Sequence, residues 1–249
     1  MTTAIANLLG MLLKLLYNLV GHYGVSIILF TIIVKLATLP LTLSQNKSMM
    51  EMNKIQPLVQ EIQRKYPNDK NKQAELTSKL YKEHNVNPMM GCLPLLIQMP
   101  ILFGLFKVLR DPVLYVFGTQ ALYDAADTGF LWLENLKNPD VIMVGGFAVP
   151  FIFPLIAALS QFIDSKMMMV KHEKKKEGKE PEKENPGEGM QKSMTYMMPL
   201  FIFYWGRQFP AGLSMYWAVS TLFSIAQRKV VERMTLAKEE EKIVSGRRK

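Results

Sequence analysis

Polar positions along this chain are confined to narrow stripes within long apolar runs. In VSIILFTIIVKLATLPLTL, Val25 to Leu43, a single charge, Lys35, interrupts nineteen otherwise uncharged residues. A run of this length spans a hydrocarbon core of roughly 30 Å as a helix, and a charge well inside it costs at least ~2.5–3.5 kcal/mol. At helical spacing Thr31, Lys35, Thr38 and Thr42 fall at i, i+4, i+7 and i+11, which places them on one face. The lysine either snorkels to the nearer surface or faces protein and trapped water. Its separation from the polar Ser44-Gln45 end, roughly 13 Å at the helical rise, favours the second.

The same pattern divides the whole chain and predicts an all-α polytopic membrane protein. Five transmembrane helices surround a hydrophilic groove, with a cytoplasmic helical hairpin and an N-terminal interfacial helix. Within 1–23, expected to form an external interfacial helix, residues 4–20 are apolar except for Asn7, Lys14 and Asn18, which share a helical face. The start Met-Thr-Thr lacks the basic n-region of a signal peptide, and no lipidated cysteine follows. The first span is 24–43. Over 44–88, Met52, Ile55, Val59 and Ile62 recur at helical spacing, Tyr66-Pro67-Asn68-Asp69 reads as a turn, and Leu76 and Leu80 continue the pattern. This is a helical hairpin whose first arm Pro57 is expected to kink.

The second span, 89–109, tolerates Pro94 and Pro100 and carries Gln98 as its one strongly polar interior residue. Gln98 reads either as an interhelical hydrogen-bonding group or as part of the groove. An external loop, 110–140, contains Phe130, Trp132 and Leu136, which suggest a short interfacial helix with an aromatic anchor. The third span, 141–164, ends on Ser160, Gln161 and Asp164. A mobile cytoplasmic loop rich in lysine, glutamate, proline and glycine covers 165–193. Two short spans, 194–209 and 210–227, meet at a tight external turn, and Ser214, Trp217, Thr221 and Ser224 make a second polar stripe. The basic tail, 228–249, is expected to leave the membrane as a frayed helix.

Charge then orients the picture. The net charge of +9 is not spread evenly: Ser44–Met90, Ser165–Lys192 and Arg228–Lys249 hold eight lysines and arginines each. The loop Arg110–Asp140 carries two, against five acids. That asymmetry fits the positive-inside rule, with the N-terminus outside and the C-terminus cytoplasmic, rather than direct nucleic-acid recognition. One cysteine, Cys92, excludes an internal disulfide, and three scattered histidines leave no metal-ligand cluster. The chain has no phosphate-binding glycine loop, HExxH or GxSxG, so no cofactor and no enzymatic activity are expected.

Isolated hydroxyls in a membrane helix can bond their own backbone carbonyls, but a lysine needs a counter-charge or water. No span interior offers a carboxylate apart from Asp164 at the edge. A hydrated groove open to the cytoplasm would meet that need and would draw acidic or polar segments into the membrane.

The segments VKLATLPLT, KIQPLVQEIQRKY, NPMMGCLPLLIQMPI, FLWLENL, LSQFIDSKM and FPAGLSMYWAVSTLFSIAQ occur in an order that resembles the YidC/Oxa-type membrane protein insertases in their short, Gram-positive-like form. The resemblance covers nearly the whole chain. It implies a five-helix fold whose cationic groove is closed outside and open to cytoplasm and lipid. Implied partners are nascent membrane proteins, the lipid bilayer, the ribosome and the Sec translocon, in a bacterial cell membrane. Lys35 then stands where most relatives carry arginine, Thr31 matches a groove threonine, Gln161 a groove glutamine and Trp217 an aromatic near the substrate path. Thr38, Gln98, Ser214 and Thr221 complete the expected groove. Lysine lacks the planar fork of guanidinium, so it acts as a point charge and not as a bidentate clamp. A small transporter or channel, or a membrane chaperone acting only after insertion, are the alternatives.

Overall fold

The structure is a computed structural model that describes residues 2–87, 93–168 and 186–246. The last residue of the expected hairpin with the start of the expected second span, 88–92, and most of the expected mobile loop, 169–185, lie outside the described residues. The described elements are α1 (Thr2–Val20), α2 (Tyr23–Ala37), α3 (Leu39–Lys65), α4 (Lys70–Glu83), α5 (Leu93–Arg110), a π-helical turn (Val113–Phe117), α6 (Gln120–Asp124), β1 (Val141–Val144), β2 (Phe147–Pro150), α7 (Ile152–Met168), α8 (Pro186–Gly206) and α9 (Ala211–Gly246). The long helices pack in the spatial order α8, α7, α9, α2, α1, α5, and α5 closes back onto α9.

The first expected span is not one helix. Pro40, at the second position of α3, has no N–H to give to the carbonyl of Leu36, and the two helices meet at 61°. Thr38 occupies the break and donates its hydroxyl to the carbonyls of Val34 and Lys35, at 2.9 and 3.2 Å. The far half of the expected span is therefore continuous with the hairpin's first arm, and α3 runs unbroken past Pro57. Asp69 caps α4 by accepting from the Lys72 amide at 2.9 Å, so the turn at 66–69 lies where its sequence predicts.

The third expected span, 141–164, begins too early. Val141–Val144 and Phe147–Pro150 pair antiparallel around Gly145-Gly146, both at positive φ, the two-residue turn that the right-handed twist of a hairpin favours. The helix starts only at Ile152. The expected interfacial helix around Trp132 is also absent: Phe130 and Leu133 form a bridge, Leu131 takes a left-handed conformation, and the Trp132 indole donates to Asp140 at 3.0 Å. Asp140 is 1% exposed, and its second oxygen accepts from the Phe153 amide in the first turn of α7 at 2.7 Å. One buried carboxylate thus ties the loop to the helix start. The expected loop 165–193 is shortened from both sides by α7 and α8, and the expected frayed tail continues α9 as one helix to Gly246.

The core gathers at the end where α1, the 110–140 loop and the start of α9 meet. Tyr23, Ile27 and Phe30 of α2 pack with Leu105 and Leu109 of α5, Leu213 and Met215 of α9, and Leu136 of the loop. Elsewhere the outer faces stay apolar. Leu155, Leu159 and Ile163 on α7 and Met197, Leu200, Phe201 and Tyr204 on α8 are each at least 45% exposed. A water-soluble surface rarely tolerates such a continuous apolar face, whereas lipid requires one. By length and hydropathy, among the described residues, Thr3–Val20 is able to cross a membrane, and the bent pair α2 and α3 is able to do so if taken as one span. On α1, Ala6, Leu9, Leu13 and Leu16 are buried, Leu8, Met11, Leu15 and Leu19 are exposed, and Asn7, Lys14 and Asn18 make a separate exposed face.

Candidate functional site

An open cleft lies at the end opposite the core, between the junction of α2 and α3, the early part of α5, the end of α7, Met198 of α8 and the middle of α9. Its volume is about 310 Å³, many times what a single water needs. Lys35, Thr38, Gln98, Gln161, Trp217 and Thr221 all line it. Thr31 and Ser214 do not. Thr31 is fully buried one turn closer to the core and donates to its own helix at the Ile27 carbonyl, 2.7 Å away, and Ser214 is buried in the first turn of α9. The stripe to which each belongs runs out of the cleft as it enters the packed end.

The cleft contains a connected set of polar groups. The Lys35 ammonium donates to the Ser224 hydroxyl at 2.8 Å, and Ser224 donates in turn to the Ser220 carbonyl at 3.0 Å. Gln227 donates to the Thr42 hydroxyl at 2.7 Å, and that hydroxyl donates to the Leu39 carbonyl at 2.9 Å. Gln98 donates to the Tyr216 phenol at 2.9 Å, so it is at once interhelical and cleft-lining. The Trp217 indole approaches Gln161 Oε1 at 3.4 Å, and Gln161 Nε2 donates to Ser165 at 3.2 Å. Gln45 also lines the cleft, and its buried amide nitrogen has no hydrogen-bond partner. Hydroxyls here do bond their own helices, and Thr221 does so to the Trp217 carbonyl at 2.9 Å. Those bonds fix the hydroxyl hydrogens and leave the lone pairs of Thr42 and Ser224 aimed across the cleft as acceptors.

The electrostatics turn on Asp164. Arg228 binds the same carboxylate oxygen through Nε at 3.3 Å and Nη2 at 3.2 Å, with both side chains mostly buried. Among the described residues, the one carboxylate on the cleft wall is thereby taken by one of the two cations there. With Lys35 bonded to a hydroxyl, the two cations and one carboxylate leave the described lining net positive.

Arg228, Tyr216, Ser220 and Gln227 escape sequence reasoning as site residues. Ser220, Ser224 and Gln227 follow i, i+4, i+7 spacing, a signal the stripe offers one position away from Thr221. Arg228 is counted with the basic tail because nothing local marks it as continuing the helix into the cleft.

A helical membrane protein whose bundle holds a polar, net-positive cleft at one end is the class this geometry defines. Within that class, the family model for the 60Kd inner membrane protein matches residues 15–239, and the chain belongs to this family. It is 36% identical over 228 residues to a membrane protein insertase YidC of Fusobacterium nucleatum, covering 90% of this chain and 95% of that protein. A YidC of Caldanaerobacter subterraneus is 34% identical, with 93% and 95% covered. A YidC of Prosthecochloris aestuarii is 34% identical, but the matched region spans only 33% of its length. Among solved structures, the crystal structure of an active YidC insertase with its first transmembrane domain resolved matches at a TM-score of 0.58 and 29% identity, over 90% of this chain and 45% of that one. Every residue that lines the cleft lies within the matched family region.

Proposed function

We propose that the chain is a membrane protein insertase that takes the hydrophilic flank of a nascent membrane protein into the cationic cleft and releases the adjoining apolar segment into lipid. The observation that carries this reading is the placement of Lys35 on the wall of an open polar cleft, with the wall carboxylate Asp164 already bound by Arg228. Five spans, an external N-terminus and a cytoplasmic C-terminus put α3, α4 and the cleft mouth on the side where substrates are synthesised. Nascent chains and the bilayer are then its partners, and the basic hairpin and the long α9 are the surfaces for ribosome and translocon. The separate polar face of α1 supports an interfacial placement, with Asn7, Lys14 and Asn18 turned to the headgroups.

The chemistry is transfer between solvents, without a covalent step. A hydrophilic flank crossing lipid loses its hydration, and the cleft replaces part of that hydration with hydroxyl, amide and ammonium groups. The helix α7 has 17 residues, about 25 Å at 1.5 Å per residue, shorter than a typical hydrocarbon core of ~30 Å. A short span thins the bilayer beside it and reduces the distance the flank must travel. An acidic flank gains the attraction of Lys35 as well.

Reconstitution tests the reading. Vesicles carrying the wild-type protein insert a single-span substrate with an acidic N-terminal tail, Lys35→Arg retains that activity, and Lys35→Glu abolishes it. Equal insertion by wild type and Lys35→Glu would remove the role assigned to the cleft. Ion flux on addition of substrate would favour a channel, and crosslinks that form only after the substrate has spanned would favour a chaperone.

A further inference from the structure

A second and wider depression, about 740 Å³, lies at the opposite end of the bundle, where α5 finishes. Lys107 and Arg110 from the last turn of α5 and Lys137 from the loop face it, together with one acid, Asp111. Asp111 accepts from the Leu114 amide at 3.3 Å at the start of the π-helical turn, and three cations against this one acid leave the lining net positive among the described residues. The Arg110 guanidinium sits over the Phe106 ring at 5.6 Å, and the Lys137 ammonium over the Tyr123 ring at 5.9 Å. A ring face holds a cation in place without cancelling its charge as a carboxylate would. The remaining wall is apolar and open, with Phe103 54% and Leu114 67% exposed.

We infer that this depression binds one anionic phospholipid, with its phosphate between Arg110 and Lys137 and its acyl chains along Phe103 and Leu114. The inference rests on the reading that α5 crosses the bilayer, because only then do the cations stand at headgroup level and the exposed phenylalanine below them. A soluble phosphate would satisfy the cations but would leave Phe103 and Leu114 in water. Guanidinium and ammonium groups bind phosphate by charge-assisted hydrogen bonds, and the apolar wall selects a ligand with chains. None of these residues lines the cleft, so lipid binding here and insertion are separable.

The test is native mass spectrometry of the full chain in detergent micelles, titrated with phosphatidylglycerol or with phosphatidylcholine of the same chains. Wild type should retain one phosphatidylglycerol in preference to phosphatidylcholine. The double variant Arg110→Gln/Lys137→Gln should lose that preference by about tenfold, the order expected for a lost charge-assisted contact. The single reversal Lys137→Glu, at an exposed position, should weaken it in the same direction and stands in if the double variant does not fold. Lys82→Gln, an exposed cation on α4, should leave it unchanged. Equal retention of the two lipids, equal loss in Lys82→Gln, an unaltered preference in both depression variants, or full displacement by millimolar inorganic phosphate would each overturn the proposal. Because the readout is bound lipid, a failed insertion assay leaves this result standing, and the reverse holds too.

Discussion

Lys35 and Ser224, 189 positions apart, meet at 2.8 Å across the cleft, and the serine oxygen that receives the ammonium is itself turned by its bond to the Ser220 carbonyl. The lysine is therefore positioned by a neutral acceptor that leaves its charge intact. Removing the acceptor should matter little if the cleft is wet, because water replaces a hydroxyl at a net difference of about 0.5–1.5 kcal/mol. Ser224→Ala should accordingly keep insertion within a few-fold of wild type. Ser224→Leu should reduce it strongly, since the apolar side chain dehydrates the ammonium. Insertion kinetics in reconstituted vesicles distinguish the two, and equal loss in both variants would make the contact structural.

The ion pair of Asp164 with Arg228 sets how much positive charge the cleft presents. Arg228→Ala frees the carboxylate to act as the counter-ion of Lys35, so insertion of substrates with acidic tails should fall. Asp164→Asn removes the negative charge and should maintain or raise it. The double variant Asp164→Asn/Arg228→Ala should recover much of the loss in Arg228→Ala, with a coupling energy of about 1–2 kcal/mol between the two positions. Comparing acidic with neutral tails checks the sign, because a neutral tail should respond weakly to either change.

Asp140 is a stability determinant far from the cleft. Its oxygens accept from the Trp132 indole and the Phe153 amide, and it is almost wholly buried. Asp140→Ala leaves both donors without a partner and should destabilise the protein by about 3 kcal/mol, the range for hydrogen bonds to a charged acceptor. A lowered thermal midpoint in detergent, with the Trp132 fluorescence shifted toward that of a freed indole, checks it.

Close approach at Gly24 gives a complementary prediction. A Cβ there would run into the Phe130 ring, which is stacked on Phe153 with centroids 6.2 Å apart and cannot withdraw freely. Gly24→Ala should cost about 1–3 kcal/mol through overpacking. Thermal unfolding measures the loss, and the second change Phe130→Leu should recover part of it by making room.

Much of the cleft follows from the chain alone because its signals are periodic and local. An ammonium inside an apolar run, hydroxyls one turn apart on the same face, and a charged hairpin with a Pro-Asn-Asp turn are all properties of neighbouring residues, and 3.6-residue geometry converts them into a face. Six of the eight expected groove residues line the cleft for that reason. Local chemistry also offered signals that apolar content masked: Gly145-Gly146 between two apolar tetrads is a hairpin turn, and Pro40 has no N–H for the Leu36 carbonyl if the first helix is to continue.

Tertiary structure alone decided which side of each stripe meets which partner. Thr31 and Lys35 share a face, but helix packing seals one and opens the other. Asp164 lies near enough to act on Lys35, but its direct ion pair goes to Arg228, which the continuation of α9 brings to it. Those outcomes depend on distances between segments up to 189 residues apart, where the energies of competing contacts decide the pairing and no local period records it.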